Sequence, residues 1–374
     1  MTIEQYISGM RLRTLPLGVA PVWIGAAAGV GIVRDRAAAS AAPSCTMFHG
    51  GTSCVPDTAR TATVIVWCLL VAALLQIAAN FIIDYSDVMR GTDAHRDARV
   101  INAHLDDLET PIDRIEVPPA RRVASGVPPK HVLAAAAINA ALACACGVGV
   151  IIVTGYWWLA LVGLACLAAG WWYVGGRHPY GYRGFGELAV FVFFGLVATL
   201  GTTFAVAGAV DAAAWVGAVA IGFVAVSVLC TNNLRDIDED RAAGKCTWAV
   251  RLGRTWCTVC TVALIVAVVI AALAAWAATS ITGERLPHLS VLYVFFGILG
   301  AVCVALTGWF ASLDIIKRRY MRAMRSLGLL ALAAALTFTG FALMWRVHRR
   351  YRRYNRRYRG TLCETYSSVV RPLS

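Results

Sequence analysis

Apolar residues along this chain come in long runs separated by charged or turn-forming stretches: Leu15–Val33, Thr61–Ile83, His131–Val153, Tyr156–Val174, Glu187–Gly208, Ala212–Thr231, Trp256–Ala278, Leu289–Ala311 and Ser326–Trp345. Each approaches the roughly 20 residues that a helix needs to cross the hydrocarbon layer. A membrane-spanning strand would show about ten alternating residues instead. The pattern therefore predicts an all-α, multi-pass transmembrane bundle of about nine helices. Small residues in Ala134–Ala137 and Gly163–Gly170 predict close helix contacts. The first run follows Arg11 and Arg13 and precedes Ala37–Ala42, as a secretory signal would. Its length exceeds the usual apolar core of a signal, so it is read as a retained helix kinked by Pro16 and Pro21.

Composition agrees and excludes most other classes. The 374 residues are 59% hydrophobic and 15% charged, with mean hydropathy +0.66, outside the range of soluble, disordered or collagen-like chains. The formal charge of +13 invites a nucleic-acid reading, but eight of the arginines lie in Arg346–Arg359. The basicity is mostly local. Of twelve cysteines, Cys68, Cys144, Cys146, Cys166, Cys230 and Cys303 lie in apolar segments and read as small core residues. Cys257 and Cys260 form a lone C-x-x-C without a second pair or nearby His, a weak zinc signal. Cys45 and Cys54 share a polar loop and pair only if it faces an oxidising side.

The loops are uneven. Asp84–Lys130 and Asn232–Thr255 are long and polar, whereas Thr154–Gly155 and Asp211 are short. Arg11, Arg13, Arg90, Arg121, Arg122, Lys130, Arg177, Arg183, Arg241, Lys245, Arg251, Arg254, Lys317, Arg318, Arg319, Arg322 and Arg325 all fall on one side of a nine-span topology. By the positive-inside rule that side is the cytoplasm. The arginine tail then emerges on the opposite face, unless the span count is off by one; it is read as a headgroup-binding or solubilising end.

Carboxylates are scarce, so their clustering is legible. The second run ends in Asn80-Phe-Ile-Ile-Asp84-Tyr-Ser-Asp87, followed by Gly91-Thr92-Asp93. Residues three and four apart share a helix face, which puts Asn80, Asp84 and Asp87 together at the membrane edge. The sixth run ends in Asn232-Asn233-Leu234-Arg235-Asp236-Ile237-Asp238-Glu239-Asp240-Arg241, with Asp236 and Asp240 one turn apart. A solvated helix end accounts for either cluster alone, and Asp238, Asp106, Asp107, Glu109 and Asp113 read as solvated. Two matching clusters on one side point to function. Brought together in a low dielectric they repel unless cations bridge them. All the ligands are hard oxygens and His is absent, which favours Mg²⁺ shared with substrate phosphates over zinc. Arg121, Arg183, Lys245 and Arg251 are cations able to neutralise diphosphate oxygens. The glycine-spaced segment Tyr180-Gly-Tyr182-Arg183-Gly-Phe185-Gly186-Glu187 lacks the strand of a dinucleotide fingerprint. It reads either as a flexible turn or as a mobile lid whose aromatic rings shield a developing cation.

At these residues the chain resembles the UbiA superfamily of intramembrane prenyltransferases, and within it the 1,4-dihydroxy-2-naphthoate polyprenyltransferases of menaquinone synthesis. Besides the two aspartate motifs, the likeness rests on Arg13-Thr-Leu-Pro-Leu-Gly-Val-Ala-Pro21, Val123-Ala-Ser-Gly126, Pro179 to Glu187, and the continuation of the second motif to Lys245. It spans residues 1–345, leaving 346–374 as a basic tail. Ile83 stands where relatives often carry a second Asn, and residues 34–61 and 94–117 look like insertions.

The resemblance implies a nine-helix bundle in the cell membrane with its site on the cytoplasmic side. It implies Mg²⁺ held by Asp84, Asp87, Asp236 and Asp240, with Asn80, Asn233, Arg121, Tyr182, Arg183, Lys245 and Arg251 binding substrate. A polyprenyl diphosphate would ionise, and the ring carbon of the naphthoate would attack with loss of CO₂ to give demethylmenaquinone. Another aromatic acceptor, such as 4-hydroxybenzoate, is the alternative within the family. A transporter is the alternative outside it, disfavoured because transport sites lie near the bilayer midplane between repeats.

Overall fold

The computed structural model describes residues 1–40, 58–89, 126–176, 179–283 and 287–343. Among these there are helices and turns and no strands. A short helix α1 (Ile3–Gly9) and a 3₁₀ turn (Leu12–Thr14) lead into α2 (Leu15–Ser40). The capping box of Thr2 and Gln5 starts α1. Then follow α3 (Thr58–Met89), α4 (Pro129–Thr154), α5 (Leu159–Val174), α6 (Gly186–Ala207) and α7 (Ala212–Arg235). The last described helices are α8 (Ile237–Ala242), α9 (Trp248–Gly283), α10 (Pro287–Ile316) and α11 (Tyr320–Leu343).

Eight helices among the described residues are long and apolar enough to cross a membrane, and α5, apolar over Leu159–Tyr173, is a ninth, shorter one. The chain is a multi-pass membrane protein. Pro16 sits in the first turn of α2, where its missing N–H has no intrahelical partner, and Pro21 is accommodated inside the helix. The regular structure overruns the apolar runs. Residues 34–40 continue α2 and Thr58 already belongs to α3, so the ends of the supposed 34–61 insertion are helical. Residues 94–117, the Cys45–Cys54 pair, Arg121 and the arginine tail lie outside the described residues.

Lipid tails are as apolar as leucine, so close approach of small residues, rather than hydrophobicity, brings these helices together. Gly25 of α2 lies against the Thr199 carbonyl of α6, where a Cβ would collide with it. Further along, Gly29 faces Thr203 and Val206, which sets α2 and α6 side by side and parallel. Gly195 meets Gly222 of α7 at the π-helical stretch Phe191–Val197 within α6. Ile24, Ile221, Leu234, Ile265, Leu327 and Phe338 fill the central core. Buried hydroxyls at Thr202, Thr203, Ser227, Thr231, Thr261 and Thr337 bond to carbonyls four residues back, which satisfies them in a medium without water. Cys257 belongs to this core beside Cys230 rather than to a metal knuckle.

Candidate active site

The first aspartate motif occupies the last turns of α3, whose inner face packs on the segment joining α1 to α2. Asn80 is buried, and its Nδ2 donates to the Met10 carbonyl at 2.9 Å and to Thr14 Oγ1 at 3.1 Å. One turn on, Asp84 is 3% exposed and takes an ion pair from Arg11 at 3.4 Å. One turn back, Gln76 Nε2 reaches Thr14 Oγ1 at 3.4 Å. Asp87 belongs to the same helix end, and its side chain is outside the described set.

The second motif is bent, not straight. The sequence pattern puts Asp236 and Asp240 on one helix, but α7 stops at Arg235, and Asp236 (φ −97°, ψ 18°) is the joint to α8. The one-turn relation survives because the Asp240 N–H still donates to the Asp236 carbonyl at 2.8 Å. Both carboxylate oxygens of Asp236 accept from Arg235, at 2.7 and 2.6 Å. Asp240 is 6% exposed and pairs with Lys245 Nζ at 3.2 Å, and that ammonium also stands 4.6 Å from the centre of the Tyr182 ring. Asp238 points outward to Arg254, as its helical phase predicts.

The glycine-spaced segment is an ordered turn tied to its neighbours. Tyr180–Arg183 forms a 3₁₀ turn that is fastened to the residues after the second motif. Cys246 N–H donates to the Tyr182 carbonyl at 2.8 Å, Trp248 Nε1 to the Gly184 carbonyl at 3.2 Å, and the Arg251 guanidinium to the Arg183 carbonyl. The Tyr180 hydroxyl donates to the Ala169 carbonyl at 2.9 Å, and burial pushes this phenol above its ordinary pKa. Phe185 is exposed. Glu187, 1% exposed, accepts from Asn233 Nδ2 at 2.9 Å and from Trp248 N–H at 3.0 Å.

These bonds settle the relation of the two motifs. Asn80 joins the end of α3 to the start of α2, and α2 runs parallel to α6, so Leu15 and Gly186 share an end. Glu187 joins that end to the last turn of α7 and the first residue of α9. Both aspartate motifs therefore lie at one end of the bundle, with Tyr182, Arg183, Asn233, Lys245 and Arg251 around the second. Among the described residues no group of three or more His, Cys, Asp or Glu is close enough to hold a metal. The donor chemistry nevertheless suits Mg²⁺: Asp84 and Asp240 are buried hard oxygens, balanced here by Arg11 and Lys245, with which a metal would compete. Asp236 accepts Arg235 on both oxygens, and each oxygen keeps a further lone pair for a metal.

Two participants escape the sequence reading. Arg11 counts there only as a topology charge, and Glu187 only as the boundary between a loop and an apolar run. The signal for Glu187 is a lone acid at the mouth of an apolar run.

Residues 45–302 match the model of the UbiA prenyltransferase family. The chain belongs to that family. The 1,4-dihydroxy-2-naphthoate octaprenyltransferase of Mycobacterium leprae is 39% identical over 67% of this chain and 70% of its own length. That of Mycobacterium tuberculosis is 40% identical over 67% and 71% respectively. A solved structure concerning digeranylgeranylglyceryl phosphate synthase aligns with TM-score 0.47 and 12% identity, over 91% of this chain and 98% of that one. As a UbiA member the chain is an enzyme, and the transporter reading falls.

Proposed function

We propose that this protein transfers a polyprenyl group from polyprenyl diphosphate to 1,4-dihydroxy-2-naphthoate, with loss of CO₂, giving demethylmenaquinone. The observation that carries the reading is the placement of two aspartate motifs at the same end of the bundle, the first beside Arg11 and the second beside Lys245 and Arg251. The excess of Arg and Lys in the loops of that end supports a cytoplasmic site in the cell membrane. The names of the relatives support the acceptor.

Asp84, Asp87, Asp236 and Asp240 would hold Mg²⁺, which when bound supplies charge neutralisation for the departing diphosphate. Lys245, Arg183, Arg251 and Arg121 bind oxygens of the diphosphate and stabilise the charge that grows as the allylic C–O bond breaks, its electron pair leaving with the diphosphate. Tyr182 turns its ring toward this charged region and helps exclude water, which would otherwise capture the allylic cation. The ring carbon bearing the carboxylate then bonds to the allylic carbon, and the pair of the C–CO₂⁻ bond returns to the ring as CO₂ departs.

Purified protein in detergent or nanodiscs, given polyprenyl diphosphate and the naphthoate, is expected to release diphosphate only with Mg²⁺. Asp84→Asn is expected to lower turnover by about 10²-fold or more while folded yield persists. Release that continues in EDTA overturns the metal assignment, and consumption of 4-hydroxybenzoate but not the naphthoate overturns the acceptor.

A further inference from the structure

Glu187 is a carboxylate at the rim of a membrane span, and it is 1% exposed. Such a group is costly to keep there unless its bonds do something specific. Both external donors fall on the same atom, Oε1: the Asn233 amide at 2.9 Å and the Trp248 backbone N–H at 3.0 Å. Between residues 233 and 248 lie Asp236, the bend, α8 with Asp240, and Lys245. One oxygen therefore pins both ends of the segment that carries the second motif. The Tyr180–Arg183 turn belongs to the same knot through Cys246, Trp248 Nε1 and Arg251. Gly184 makes this possible: its φ of +82° and the nearness of the Cys246 carbonyl and the Arg251 side chain leave no room for a Cβ. Arg251 also lies near enough to attract the Glu187 carboxylate.

We propose that Glu187 is a positioning residue for diphosphate binding. By clamping residues 233 and 248 to one point, it fixes where Asp240 and Lys245 stand relative to Tyr182, and it turns the Asn233 amide so that its oxygen is the end left for substrate. The role depends on reach rather than on charge. It rests on the prenyl-transfer reading for its kinetic consequence, but its structural consequence can be read without any substrate.

The test compares Glu187→Gln, Glu187→Asp and Glu187→Ala in the full-length protein. The Gln amide oxygen can accept both hydrogen bonds, so its KM for polyprenyl diphosphate stays within about threefold of the parent. Asp keeps the charge on an arm one methylene shorter, and Asp and Ala each raise that KM about tenfold or more, while the KM for the naphthoate changes less than about twofold. Without substrate, the amides of Cys246 and Trp248 exchange hydrogen faster in Asp and Ala but not in Gln. A Gln variant as impaired as Ala overturns the proposal, as does a parallel rise in both KM values, or protection unchanged in Asp and Ala. Amide exchange upholds or overturns the clamp by itself if the naphthoate proves the wrong acceptor.

Discussion

Lys245 places two of the proposed roles in competition, and Lys245→Met separates them. Its ammonium lies 3.2 Å from Asp240, with both side chains largely buried. At an effective dielectric constant of about 20 the attraction is about 5 kcal/mol before desolvation. Desolvation of two buried ions returns most of that, leaving about 1–2 kcal/mol net. A divalent cation that takes Asp240 must displace this ammonium, so removing it lowers the Mg²⁺ concentration for half-maximal turnover by about tenfold. The same ammonium, freed by the metal, is a charge-assisted donor to diphosphate, and its loss raises the KM for polyprenyl diphosphate about 10- to 100-fold. The two effects have opposite signs. Diphosphate release measured against Mg²⁺ at saturating naphthoate, then against prenyl substrate at saturating Mg²⁺, reads both. A Mg²⁺ requirement that is unchanged or higher in Lys245→Met refutes the exchange of partners at Asp240.

Two further substitutions probe the frame around the site. Gly25→Ala drives a methyl into the Thr199 carbonyl between α2 and α6, and is expected to destabilise the fold by about 1–3 kcal/mol, visible as a lower thermal midpoint in detergent; an unchanged midpoint contradicts that packing. Asp238→Ala removes an outward acid whose partner Arg254 keeps the Leu234 carbonyl and the Tyr320 hydroxyl. Turnover should stay within about twofold of the parent, and a larger loss would move Asp238 into the metal set.

The apolar runs foretold the spans because membrane depth imposes a length on them, and all nine have helical counterparts. Their ends were less legible. Polar turns such as Arg34–Ser40 and Asp84–Met89 continue α2 and α3 beyond the apolar core, where hydropathy carries no signal. The bend at Asp236 is invisible for a related reason: an i, i+4 pair of acids looks the same whether the helix continues or pivots while keeping that one hydrogen bond. Within the site, the aspartates stood out by their rarity. Arg11 and Glu187 did not, because their partners lie 73, 46 and 61 residues away and leave no local pattern. The fastening of the Tyr180–Glu187 loop was hidden likewise, since its bonds are made by backbone carbonyls, which every residue owns.

Helix α5 has 16 residues, a rise of about 24 Å against about 30 Å of hydrocarbon. Exposed tryptophans mark its two ends, Trp157 and Trp158 before it and Trp171 and Trp172 in its last turn, at the levels where indole rings seek the headgroup boundary. A stretch this short is matched by thinning the bilayer beside it, by snorkelling of flanking side chains or by packing against neighbours. The Tyr180–Arg183 turn follows within a few residues, so the short span ends beside the candidate site. Were the bilayer thinned there, the headgroup level would come down toward the proposed cations, and a lipid-borne diphosphate would reach them with its isoprenoid tail still in hydrocarbon.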